Sequence, residues 1–84
     1  MVMVQGNDVQ NALGVGIYCG DYSECMIEDN VVGGTRPDMA SGDRTRLGYA
    51  IVAHSGAKAE IADNELSRNA SAAKAFLGAR ITAE

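Results

Sequence analysis

Hydrophobic positions along this chain follow two superimposed rhythms, one of two residues and one of 23. Val4-x-x-Asn7-x-Val9, Ile27-x-x-Asn30-x-Val32 and Ile61-x-x-Asn64-x-Leu66 are versions of one segment, each followed by a small-residue turn and a short apolar run. Asn7 precedes Asn30 by 23 residues and Asn30 precedes Asn64 by 34; an 11-residue excess, placed at roughly Thr35 to Thr45, restores the shorter period. Register also holds inside the repeat. Ile17 precedes Ile27 by ten residues and Ile51 precedes Ile61 by ten, while Gly14 to Gly48 and Tyr18 to Val52 keep the 34-residue offset. Self-similarity at this period is the signature of a solenoid, in which each repeat buries its apolar face against its neighbours.

The two-residue rhythm predicts strands and separates inside from outside, because successive strand side chains point to opposite faces. With Ile17 and Ile27 inward, Val15, Cys19 and Cys25 follow, and Tyr49, Ile51, Ala53, Ala59 and Ile61 do so one repeat later; Val2 and Val4 lie in the same stack. Asn7, Asn30 and Asn64 fall where the chain must turn. Asn tolerates left-handed backbone, and its amide can bond the turn and the Asn one repeat away, so a ladder of the three is predicted. Ser71 to Glu84 reads either as an amphipathic helix presenting Phe76, Leu77, Arg80 and Ile81 or as an alternating strand. The strand is preferred, because Ala75-Phe76-Leu77-Gly78 then aligns with Ile17-Tyr18-Cys19-Gly20.

The pattern I-x-D-N-x-V, preceded by Gly14-Val15-Gly16-Ile17-Tyr18 in one repeat and Gly48-Tyr49-Ala50-Ile51-Val52 in the next, resembles the right-handed parallel β-helix repeat proteins, from about Val2 to Asn69. The fold expected is all-β: a right-handed single-stranded parallel β-helix of about three coils (2–23, 24–57 and 58–84), with residues 35–46 as an inserted loop. The resemblance implies an extracellular or cell-envelope, carbohydrate-associated protein. The family includes pectate lyases, polygalacturonases, alginate epimerases and phage tailspikes. The DPHD-type motif of the epimerases and the calcium-binding nonapeptides of secreted toxins do not occur in this sequence.

Length and charge narrow the reading. At 84 residues the core is barely sufficient for a solenoid, and Met1-Val2-Met3-Val4 begins as a strand without an evident cap. The expectation is a fragment of a longer helix, or a chain that covers its open coil ends by self-association. A net charge of −4 argues against a nucleic-acid partner. It also disfavours direct binding of a polyanionic sugar unless a cation such as calcium intervenes. There is neither a basic segment followed by an apolar signal-like run nor an apolar stretch long enough to cross a bilayer, so no membrane partner is expected.

Several residues can carry chemistry. Cys19 and Cys25, both inward and flanking one turn, either bond or remain small buried thiols. Asp29 and Asp63 precede their Asn residues in adjacent repeats, and two carboxylates one strand spacing apart can share a proton or a cation; equally, they are solvated turn residues. Glu24 and Lys58 align as a surface ion pair. His54, the single histidine, is the natural general base at neutral pH, though its own motif supplies no nucleophile. In the inserted loop, Arg36, Arg44 and Arg46 can grip a carboxylate, or pair with the loop's own Asp38 and Asp43. On the outer face of one sheet Tyr18, Val52 and Phe76 are predicted to stack, forming a stripe for a sugar chain or a covered patch.

Two functions follow. The preferred one is a non-catalytic module presenting an extended surface to a polysaccharide or partner protein, with Tyr18, Phe76 and the loop arginines as contacts. The other is part of a polysaccharide lyase, glycoside hydrolase or epimerase acting on acidic glycans, with His54, Asp29 and Asp63 as its catalytic candidates. No metal site is expected, since one His and two Cys fall short of a zinc set.

Overall fold

The computed structural model describes residues 1–83. Ten short strands are joined by tight corners: β1 Val2–Gln5, β2 Asp8–Gln10, β3 Val15–Cys19, β4 Glu24–Glu28, β5 Val31–Gly33, β6 Tyr49–His54, β7 Lys58–Ala62, β8 Glu65–Ser67, β9 Ser71–Phe76 and β10 Arg80–Ala83. They form three parallel sheets, ordered β1-β4-β7-β10, β2-β5-β8 and β3-β6-β9. Each strand therefore pairs with the strand three elements further along the chain, and each pass through the three sheets lies against the next. This all-β arrangement is compatible with a parallel β-helix of about three coils.

Register follows the repeat. Val4 is paired with Ile27 and Ile27 with Ile61, Cys25 with Ala59, and Glu24 with Lys58; Ile17 pairs with Ile51 and Tyr18 with Val52. The core between the sheets is built from Ile17, Cys19, Cys25, Ile27, Val32, Ala50, Ile51, Ala53, Ala57 and Ala59. Ile27, Val32 and Ile51 are fully buried, and each such aliphatic side chain contributes about 1.5–3 kcal/mol on leaving water. Cys19 and Cys25 form a disulfide across the β3–β4 corner, with Cα atoms 6.4 Å apart.

The corners rest on side-chain amides. The Asn7 backbone N–H and Nδ2 both donate to Asn30 Oδ1 at 3.0 Å. Asn30 repeats the pattern toward Asn64 Oδ1, again at 3.0 Å. The same Nδ2 groups also donate to strand carbonyls, Asn30 to Val4 and Asn64 to Ile27, at 2.9 Å. Asn30 is buried, and these bonds supply what its amide would lose with water. The left-handed residue is the preceding one, contrary to expectation: φ is +69° at Gly6 and +56° at Asp29 and at Asp63. A second corner works the same way, with the Thr35 N–H donating to Asn69 Oδ1 at 2.9 Å and Asn69 Nδ2 to the Val32 carbonyl at 3.0 Å.

Two details depart from the alternation argument. Val15 and Tyr49, expected inside, are half-buried and face outward: Val15 lines an outer cleft with Tyr18 and His54, and the Tyr49 ring meets Phe76 edge-on with centroids 5.6 Å apart. The pairing skips Gly16 and Ala50. A side chain at Gly16 would run into the Ala50 carbonyl and Val32 Cγ1, at 2.6 and 2.7 Å, so this point of the strand faces the core and the two-residue rhythm slips there. The second departure lies in β9, a strand as expected. Lys74 pairs with Val52 and Phe76 with His54, which places Phe76 two residues further along than the predicted stack with Tyr18 and Val52.

The extra residues are also located. Leu13 bridges Arg36, an offset of 23, whereas the Gly48 N–H donates to the Gly14 carbonyl, an offset of 34. Thr35 and Arg36 thus belong to the regular pass, and the insertion is Pro37 to Leu47.

Candidate functional site

The insertion ties itself into a compact flap. Pro37 and Leu47 form an antiparallel bridge, a single 3-10 turn spans Met39–Ser41, and Gly42 ends it in left-handed backbone at φ +67°. Asp43 Oδ1 accepts from the Thr45 N–H at 2.8 Å and from the Thr45 hydroxyl at 2.7 Å. The flap is pinned to the body by Arg46, whose Nε donates to Asp38 Oδ2 at 3.0 Å and whose Nη2 donates to the Leu13 carbonyl at 2.9 Å. Gly14 makes room for that guanidinium, since a Cβ there would lie 2.8 Å from Arg46 Cζ. Arg46 is thus a fastener, with two of its nitrogens engaged inside the protein.

The flap stands beside the outer face of sheet β3-β6-β9. Val52 points outward there, yet its exposure is 0%; Tyr18 and Lys74 flank it in the sheet. Next to it three rings form a row across the three passes: His54 lies 6.0 Å from Tyr18 and 6.0 Å from Phe76, centroid to centroid, tilted by 31° and 36°. Gly20 allows the Tyr18 ring to lie along the sheet, because a Cβ there would collide with it. His54 Nδ1 is 2.6 Å from Ser55 Oγ, a contact that fixes the imidazole ring.

Between flap and sheet run two adjoining clefts. The larger, about 490 Å³, has Phe76, Leu77 and His54 on one side and Gly42 to Thr45 on the other. The smaller, about 350 Å³, lies between Tyr18, Val15 and His54 and the flap residues Asp43, Thr45 and Arg46. His54, Asp43 and Thr45 belong to both, so the two clefts make one groove divided at its middle. The Asp43 carboxyl is held below the usual carboxylate range, chiefly by the Thr45 N–H and then by the Thr45 hydroxyl, with smaller contributions from Arg46 and His54. It is a standing negative charge on the groove wall.

Tyr18, His54, Phe76 and Arg44 thus come together. Arg36 does not join them; it is exposed on the regular pass, bridged to Leu13. Asp29 and Asp63 are exposed at the β4–β5 and β7–β8 corners, whereas His54 ends β6, so the two carboxylates share no site with the histidine. Both hold left-handed backbone there, at φ +56°. Among the described residues no three His, Cys, Asp or Glu side chains converge. Asp43 and Thr45 were missed as site residues, and only their place beside three charged neighbours in the insertion hinted at them.

No protein-family model, curated protein or solved structure matches the chain.

Proposed function

We propose that the chain is a stretch of right-handed single-stranded parallel β-helix whose flap-walled groove binds an extended polysaccharide without cleaving it. Right-handedness is the rule for parallel strand connections, and the 23-residue period with pairing in register supports a solenoid. The observation that carries the binding reading is the row Tyr18, His54 and Phe76 at 6.0 Å spacings on one wall of an open groove, faced by the hydrogen-bonding side chains of Asp43, Arg44 and Thr45 on the other. Sugar rings present apolar C–H faces and polar rims, and need both kinds of surface at once. A groove open along its length suits a chain better than an isolated small molecule. A carbohydrate-associated, extracellular setting follows from the same reading.

Affinity electrophoresis of the chain through gels containing defined soluble polysaccharides tests this. Retardation is expected with at least one of them, and Phe76→Ala and Tyr18→Ala should each weaken it about tenfold, the loss of one stacking contact of ~1–1.5 kcal/mol. No retardation by any polysaccharide, with a protein partner recovered instead, would replace the sugar reading by a protein-binding one.

A second reading has one observation behind it: His54 and Asp43 share both clefts, as a base and a carboxylate would. Glycoside hydrolysis calls for two carboxyl groups across the scissile bond. Among the described residues Asp43 is the one acidic residue lining these clefts, and Asp38 is paired with Arg46. Release of new chain ends on incubation with a bound polysaccharide, abolished by His54→Ala, would establish the lyase alternative over the binding module.

A further inference from the structure

We propose that the groove selects neutral sugars by accepting from ring hydroxyls at Asp43 Oδ2, and that it discriminates against uronates; this rests on the polysaccharide-binding reading above. Asp43 sits at the division of the groove, lining both clefts beside His54. Its Oδ1 is fixed by two bonds from Thr45, at 2.8 and 2.7 Å, while none of the hydrogen bonds among the described residues uses Oδ2. An ionised carboxylate only accepts, so the ligand atom that meets it must donate. Sugar hydroxyls donate, and charge assistance makes such bonds about twice as strong as neutral ones. A uronate carboxylate in the same place offers only acceptors and a like charge.

The arginines do not reverse this preference. Arg46, which lines the smaller cleft, directs its Nε to Asp38 and its Nη2 to the Leu13 carbonyl. Arg44 lines only the larger of the two clefts, whereas Asp43 lines both. Phe76 and Tyr18, on either side of the division, offer the faces on which the C–H side of a ring can rest while its rim hydroxyls reach Asp43.

Calorimetric titration with mannohexaose, cellohexaose and hexagalacturonate tests the proposal on the wild-type chain and on Asp43→Asn. Asparagine keeps an Oδ1 acceptor for Thr45, so the flap conformation survives, which an unchanged Thr45 amide resonance would verify. At least one neutral hexaose should bind ten times or more tighter than hexagalacturonate, and Asp43→Asn should reduce that neutral affinity about tenfold and narrow the ratio. Equal or tighter binding of hexagalacturonate, or a ratio unmoved by Asp43→Asn, overturns the selection for neutral sugars and leaves the groove reading standing. Binding of none of the three by the wild-type chain overturns both.

Discussion

The Asn corner and the flap face are built by opposite means. At the β1–β2, β4–β5 and β7–β8 corners the fastenings run mostly between passes: Asn7 to Asn30, Asn30 to Asn64, and the Asn30 and Asn64 amides to carbonyls one pass away. In the flap the fastenings run mostly within eleven residues, from Thr45 to Asp43 and from Arg46 to Asp38, with a single side-chain bond back to the body at Leu13. The corner therefore holds the fold together, whereas the flap only holds itself in shape and leans on the sheet. Chemistry collects on the second kind of surface because it can vary without breaking the first.

The sharpest way to break the comparison is at the corner. Asn30 is buried, and Asn30→Ala removes its amide bonds to Asn7, Val4 and Asn64; it should cost about 2–4 kcal/mol, read as a loss of melting temperature by circular dichroism. A change within error would mean that the inter-pass amides are decoration.

Removal of the flap comes next. Arg36 and Gly48 align with Leu13 and Gly14, which are consecutive, so deleting Pro37 to Leu47 outright should rejoin the regular pass. The far-ultraviolet spectrum should keep its β signature while stability falls by about 1 kcal/mol with the loss of the Arg46 bond to the Leu13 carbonyl. Polysaccharide retardation should vanish. Unfolding on deletion would place the flap in the structural class of the corner.

A smaller effect of opposite sign is expected at Thr35, where the hydroxyl is buried and unpartnered. The Asn69 side chain one pass on serves Thr35 and Val32; Thr35→Asn would let an amide serve Ala12 and Val9 in the same manner, stabilising the chain by about 1 kcal/mol in urea unfolding. A destabilised variant would show that this corner lacks the room that Asn69 has.

Smallest is the titration of Asp43. Because Thr45 favours the ionised form, the carboxyl should titrate below the ordinary aspartate value of about 3.9, followed by side-chain carbonyl shifts in NMR. The folded value is depressed, so flap order contributed by this group is present above the ordinary value and is lost as pH falls through the lower one. Concurrent movement of the Thr45 amide is expected, and a midpoint at or above the ordinary value would dissolve the bond pair.

The passes and their pairing were legible because repeated letters mark equivalent positions: Ile27 with Ile61, Cys25 with Ala59 and Tyr18 with Val52 pair as their spacing implies. The corner at Ala12, Thr35 and Asn69 was not, since three different side chains occupy it and only the offset betrays their equivalence. Parity failed at Val15 and Tyr49, where Gly16 lets the strand slip, a local backbone freedom that alternation does not encode. In the site, Tyr18, His54 and Phe76 were each legible as outward rings, but their common row required the two-residue shift of β9. Asp43 was not legible. Its importance comes from where the flap lands, and no periodic signal fixes the path of an insertion.

The inter-pass pairing also decides how this chain can reach its native state. No strand meets its immediate neighbour in sequence; the shortest offset between partners is 22 residues, from Lys58 to Arg80, and others are 23 or 34. Each pass must close a long loop before its first strand pairing forms, an entropic barrier met before most of the reward. Collapse of one pass alone gains nothing, so the smallest productive nucleus is two adjacent passes. The pair carrying Ile27, Val32, Ile51 and Ala59 has the most to bury and is the natural place for it. The outer passes, each with a neighbour on one side among the described residues, are then zipped on afterwards and are the first to fray.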